Sequence, residues 1–167
     1  HHSDQVRIGQ RHAVWVTEGL ASLLQRVRVE EGEIALDPGP DLEPFQDRVR
    51  RKETPSLADL CRMAPDTFYK AGDALYLHVR YVMFYLHRRD KLKAFYDRYR
   101  STYADDPTGR VALEKTLAAR LEEIEAAWRK WLLALEPPWK PAHGFWAYLG
   151  VRMRPDERGV FVDGFIP

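Results

Sequence analysis

The stretch FYKAGDALYLHVRYVMFYLH, residues 68–87, decides the fold class of this 167-residue chain. Its apolar residues fill more than one face of a helix, which is typical of a helix buried on several sides. Pro65, Asp66 and Thr67 precede it and supply a helix start. The spacing therefore predicts one long helix from Phe68 to His87 at the centre of a bundle.

The segments around it predict further helices. Apolar residues recur at helical spacing over 13–26, an amphipathic charged segment covers 42–52, and a short segment capped at Thr54-Pro55-Ser56 runs to Met63. Helices are also predicted over 90–103, about 110–118 and 120–135. In the last of these, Trp128, Trp131 and Leu132 lie on the inner face.

Strand patterns occupy little of the chain. Residues 27–36 alternate around Glu31-Gly32 and predict a short hairpin. Clustered prolines in 136–144 predict a stiff linker, and residues 148–153 and 159–163 alternate again, which predicts a β-hairpin tail. The fold class is therefore mainly α, with a helical part over 1–135, a proline-rich linker over 136–144 and a β segment over 145–167.

Composition excludes several classes of protein. The 26 basic and 25 acidic residues leave a net charge of +1, so no global field recruits nucleic acid. Basic clusters at 48–52 and 88–93 are a nucleic-acid surface or solvated helix faces, and the interspersed acids favour solvated faces. The single cysteine, Cys61, excludes an intramolecular disulfide. No apolar run approaches the roughly 18–20 residues of a membrane span.

The segment WVTEGLA, residues 15–21, places the carboxylate of Glu18 beside an apolar stripe. A buried carboxylate is costly unless it is paired or bound to a metal, whereas one at the rim of a helix is simply solvated. Spacing alone leaves both interpretations open. Gly19 costs about 1 kcal/mol in a helix relative to alanine, which predicts that it has a packing or site reason.

This segment is similar to the W-x-x-E-G-x-A signature of gluzincins, zinc peptidases in which an HExxH motif supplies two histidine ligands and a downstream glutamate the third. The resemblance implies that Glu18 is the third zinc ligand and that Trp15 packs under it. In such sites three protein ligands leave one position open for a water molecule that the metal acidifies.

A second segment, FYKAG at 68–72, is similar to the Y-x-K-G stretch that opens a long helix in gluzincin aminopeptidases, with the lysine and the next residue shifted by one. The resemblance implies that Tyr69 donates a hydrogen bond to the oxyanion of the transition state. The alternative is an aromatic residue that packs on the core. Residues 106–114 and 121–131 resemble the closing helices of bacterial gluzincin-like proteins, so the resemblance covers about 13–135.

No HExxH occurs in the 167 residues. The resemblance therefore implies the C-terminal part of a peptidase that is inactive alone, with zinc expected in the intact parent and not in this chain. The first two histidines lie slightly too close to Glu18 to end an HExxH, and they are either native or the remnant of a tag. The other histidines are expected to be structural or solvated: His12, His78, His87 and His143.

The tail, YLGV at 148–151 and GVFVDGFIP at 159–167, is similar to the opening strands of a PDZ domain, although an ordinary terminal hairpin is the alternative. As a whole, the resemblance implies zinc-dependent hydrolysis of a peptide or protein substrate by an exported or envelope-associated bacterial protein. The competing hypothesis is a non-catalytic peptidase-like scaffold or protein-interaction module. The peptidase hypothesis predicts that Glu18 and the Tyr69 hydroxyl face one common open cleft.

Overall fold

The structure is a computed structural model that describes residues 12–25, 27–30, 33–137, 146–147, 151–156 and 159–165. Within these residues the chain is mainly helical, as the sequence predicts. It divides into two compact units, His1–Pro137 and Pro138–Pro167, so the division falls inside the predicted linker.

The described part of the first unit contains eight helices. They are α1 (Val14–Leu24), α2 (Leu42–Arg50), α3 (Leu57–Arg62), α4 (Pro65–Lys70), α5 (Asp73–His87), α6 (Leu92–Thr102), α7 (Arg110–Leu117) and α8 (Leu121–Ala134). The predicted cap of α3 is present, because Ser56 Oγ accepts a hydrogen bond of 3.1 Å from the Asp59 amide. Such a side chain satisfies one of the amides that a helix start leaves without a partner.

The strands form two small antiparallel sheets. In the first unit, β1 (Val27–Glu30) pairs with β2 (Glu33–Leu36), and Val27 lies opposite Leu36. In the second unit, β3 (Trp146–Ala147), β4 (Val151–Asp156) and β5 (Gly159–Phe165) form a sheet in the order β3-β4-β5. The register of β4 on β5 shifts between Arg152 and Met153.

The prediction of one helix from Phe68 to His87 is wrong, because the chain breaks at Gly72. This glycine has φ +74° and ψ −159°, a backbone region open essentially to glycine alone. Helix α4 therefore ends at Lys70 and α5 begins at Asp73. As a consequence, Tyr69 lies near the end of a short separate helix and not within the long one.

The core is built around α5, whose residues from His78 to Leu86 are all buried. Helix α8 packs against it through Trp128, which is fully buried and donates from Nε1 to the Tyr81 carbonyl at 3.2 Å. Leu132 is also fully buried, so the inner face predicted for this helix is correct at both residues. The central position expected for the long helix is thus confirmed despite its later start.

Candidate functional site

Glu18 lies in the middle of α1, half-buried, on a helix whose start is tied to distant segments. The Ala13 amide donates to the Tyr99 hydroxyl at 2.8 Å, and Trp15 Nε1 donates to the Thr108 carbonyl at 2.8 Å. Trp15 is only 1% exposed and packs against Phe95. The tryptophan of the WVTEGLA segment therefore anchors the helix one turn before Glu18.

Gly19 marks the closest approach of α1 to α5. A Cβ atom at this position would lie 2.8 Å from Met83 Cγ and 3.0 Å from the Val79 carbonyl oxygen. The second distance involves a helix backbone, which cannot move aside as a flexible side chain can. The glycine therefore has a packing reason, as its position in a helix predicts, and it holds Glu18 at the edge of the α1–α5 interface.

Tyr69 meets Glu18 at the surface. Its neighbour Phe68 is fully buried, whereas Tyr69 is 54% exposed and contacts the Phe68 ring edge-to-face at 5.8 Å. The Tyr69 hydroxyl donates to Glu18 Oε1 at 3.0 Å. The two residues are 51 positions apart in the chain and belong to different motifs. The fold thus brings together the two side chains that the sequence singles out.

This contact affects the ionisation of the phenol. The hydrogen bond to Glu18 is the main reason that the pKa of Tyr69 is raised above its ordinary value of 10.0, and burial and the Glu18 charge add to it. An acceptor that is already negative makes loss of the phenol proton harder. Tyr69 is therefore a hydrogen-bond donor at neutral pH.

A second tyrosine belongs to the same neighbourhood. The Tyr76 ring contacts Phe68 edge-to-face at 5.1 Å, and burial, followed by the charges of Glu18 and Asp73, raises the pKa of Tyr76. Sequence reasoning missed Tyr76 and Asp73. They are three residues apart on the first turn of α5, a spacing that places side chains on one face, but treating 68–87 as a single helix hid where that turn begins.

The described residues fit one ligand of a zinc site, and not a complete site. A half-buried carboxylate on a fixed helix is a ligand type that zinc accepts. The Tyr69 hydroxyl donates a hydrogen bond to Glu18 Oε1, and ligating carboxylates commonly accept such a bond besides binding the metal. No group of three His, Cys, Asp or Glu side chains within the described residues is placed to hold a metal ion. Any further ligands would have to come from other parts of the protein.

The described histidines lie among aromatic rings. His12 is 8% exposed, with the Tyr99 ring centroid 5.1 Å away, and His78 is fully buried and stacks on Trp128 at 4.8 Å. His87 is half-buried beside Phe84. His1, His2 and His143 lie outside the described residues.

The basic cluster at 48–52 is exposed and is partly paired within α2 and just beyond it. Arg50 contacts Asp47 at 2.5 Å, and Arg51 contacts Glu53 at 2.8 Å. Such pairing is what a solvated helix face shows. Among the described residues, no helix has the length and the apolar content needed to cross a bilayer.

Comparison with protein-family models, with curated proteins and with solved structures finds no match for this chain.

Proposed function

We propose that this chain is the C-terminal part of a gluzincin-like, zinc-dependent peptidase, in which Glu18 is the third zinc ligand and Tyr69 the transition-state tyrosine. The observation that carries the proposal is the 3.0 Å hydrogen bond between these two residues. Each comes from a different motif, and the fold joins them at the surface. The chain alone is inactive, because one carboxylate is not a metal site.

The chain's own residues have two tasks in this scheme. Glu18, together with two histidine ligands from elsewhere in the protein, would hold the zinc ion, which would supply an acidified water molecule as the nucleophile. Glu18 is kept in place by the Trp15 anchor and by the close approach at Gly19. The Tyr69 hydroxyl, protonated at neutral pH, turns from Glu18 to the substrate oxygen that gains negative charge in the transition state.

The test uses the natural gene product, including any residues that precede His1. We expect an HExxH about twenty residues before Glu18, and about one zinc ion per chain. Glu18→Gln should remove most of the bound zinc and the hydrolysis of an unstructured peptide. Tyr69→Phe should keep the zinc and lower kcat by about 10²–10³-fold.

A matched control is Glu43→Gln, which changes an exposed carboxylate in the first turn of α2 and should leave zinc content and activity unaltered. Two results would refute the proposal. One is a natural sequence without HExxH ahead of Glu18, and the other is a zinc content that Glu18→Gln does not change.

A non-catalytic peptidase-like scaffold or interaction module is the second candidate. It is favoured by the Tyr69–Glu18 hydrogen bond itself, because this bond joins α4 to α1 and so has a structural role of its own. A PDZ-like tail would then bind a peptide by adding a strand to a sheet edge. In that case the protein binds no zinc, and each substitution changes the free energy of unfolding by about 1 kcal/mol or less.

A further inference from the structure

His78 is a buried titratable group that the proposed mechanism does not use. It lies on α5 between two aromatic rings, Trp128 of α8 at 4.8 Å in a stacked arrangement and Phe45 of α2 at 5.9 Å. The residue is fully buried, and neither Nδ1 nor Nε2 has a hydrogen-bond partner among the described residues. An imidazole in such a place is tolerated only while it is neutral.

The charged side chain that affects the pKa of this imidazole is a cation, Arg129. Arg129 on α8 donates to Glu125 at 2.8 Å and to Thr54 Oγ1 at 3.1 Å. Burial, followed by the Arg129 charge, lowers the pKa of His78 from 6.5 to about 3.

The ionisable residues of α2 that flank Phe45 are exposed, and the buried Arg80 and Tyr81 of α5 are hydrogen-bonded to the segment 37–38. On α2, the residues that flank Phe45 in sequence and ionise are exposed: Glu43, Asp47 and Arg48. The buried Gln46 is neutral and donates to the Leu132 carbonyl at 2.7 Å. On α5, Arg80 donates to the carbonyl oxygens of Asp37 and Pro38.

We propose that His78 is an acid-sensitive switch between α5 and α8. A proton on its imidazole places a cation without an acceptor at the α2–α5–α8 junction, beside Arg129, and α8 separates from α5.

The fold confines the effect to this junction. Helix α8 is joined to α5 at the same point, through the ring of Trp128 and its hydrogen bond to the Tyr81 carbonyl. A different side of α5 meets α1 around Gly19, where Val79 and Met83 are the neighbours and carry no ionisable side chain, and the Glu18 charge acts on Tyr76, about one turn before Val79. Protonation of His78 therefore loosens α8 and leaves α1 on α5.

The size of the effect follows from the two pKa values. Because the open form has an ordinary imidazole with a pKa of 6.5 and the closed form one of about 3, the closed form takes up its proton only in stronger acid. Lowering the pH from 7.5 to 5.0 should then favour the open form by about 30-fold.

Hydrogen exchange measured by mass spectrometry at pH 7.5 and 5.0, corrected for intrinsic exchange rates, tests the proposal on the chain as it stands. Protection of residues 121–134 should fall by about 30-fold at pH 5.0, and protection of residues 14–24 should not change. His78→Phe, which stacks but cannot take up a proton, should remove the response. If the phenylalanine variant does not fold, His78→Gln serves the same purpose.

His87→Asn is the matched control, since it removes another histidine of α5 and leaves His78 in place, so the response should persist. Three results would overturn the proposal. They are exchange over 121–134 that does not depend on pH, a response that survives in the variant lacking His78, and an equal loss of protection in 14–24, which would mean global unfolding in acid.

Discussion

Replacing Gly19 with alanine should lower the free energy of unfolding by about 1 kcal/mol. The new methyl group would lie 2.8 Å from Met83 Cγ and 3.0 Å from the Val79 carbonyl oxygen. Overpacking of this kind costs about 2 kcal/mol. The better helix propensity of alanine offsets about 1 kcal/mol of that cost. Gly19→Ala should therefore destabilise the chain, whereas a glycine-to-alanine change on an exposed helix face stabilises a protein.

A double-mutant cycle with Met83→Ala separates the steric effect from other causes. The Met83 substitution alone should cost about 2–5 kcal/mol through the cavity that it leaves. In the double variant the methyl group added at position 19 occupies part of that space, so the combined loss should be smaller than the sum by about 1 kcal/mol. Urea unfolding followed by circular dichroism measures each corner of the cycle.

Two results would show that contact with the Met83 side chain does not destabilise the Gly19→Ala variant. One is a Gly19→Ala variant more stable than the wild type. The other is a cycle in which the two losses add to within about 0.5 kcal/mol.

Three further outcomes are expected. Gly72→Ala should lower the free energy of unfolding in urea by about 1–3 kcal/mol. The positive φ is the only cause, since nothing lies within 4 Å of the added methyl group, so the losses from Gly72→Ala and Met83→Ala should add. Glu18→Gln should lower the pKa of Tyr69 in an ultraviolet phenol titration, because the hydrogen bond to the carboxylate is the main cause of the raised pKa. In the wild type, the stability contributed by the Tyr69–Glu18 hydrogen bond is present below pH 10.0 and is lost as the pH rises through the raised pKa of Tyr69. Burial raises the pKa of Cys61 from 9.0 to about 12, so iodoacetamide at pH 8 should alkylate the thiol in urea but not in the folded chain. Because the folded-state pKa is raised, the denaturant midpoint should fall as the pH rises from 9 towards 12. Rapid alkylation of the folded chain at pH 8 would contradict the burial.

Much of the helical framework could be predicted because its signals are local. Apolar spacing predicts the helices that became α1, α2, α6, α7 and α8 to within a few residues, and Ser56 marks the start of α3. Trp128 and Leu132 appear on the inner face because residues four apart share one side of a helix. The need for a small residue at position 19 was also visible, since glycine is a poor helix former.

The break at Gly72 could not be predicted in the same way, because helical periodicity runs through residues 68–87 without interruption. The positive φ of this glycine is selected by how α4 and α5 pack and not by the spacing of apolar residues. That single backbone angle removes Tyr69 from the long helix, and it starts α5 at the turn that carries Asp73 and Tyr76.

By itself, the sequence determined the mainly helical class and the buried central helix, and its resemblance to gluzincins made Glu18 and Tyr69 the candidate site residues. Only the tertiary structure decided that the Tyr69 hydroxyl donates to Glu18, and that His78 stacks on Trp128 without a hydrogen-bond partner among the described residues. The physical reason is the distance along the chain between the residues that determine each feature. A helix is specified by neighbours three and four residues apart, whereas these contacts join segments about fifty residues apart, and their geometry depends on how whole helices pack.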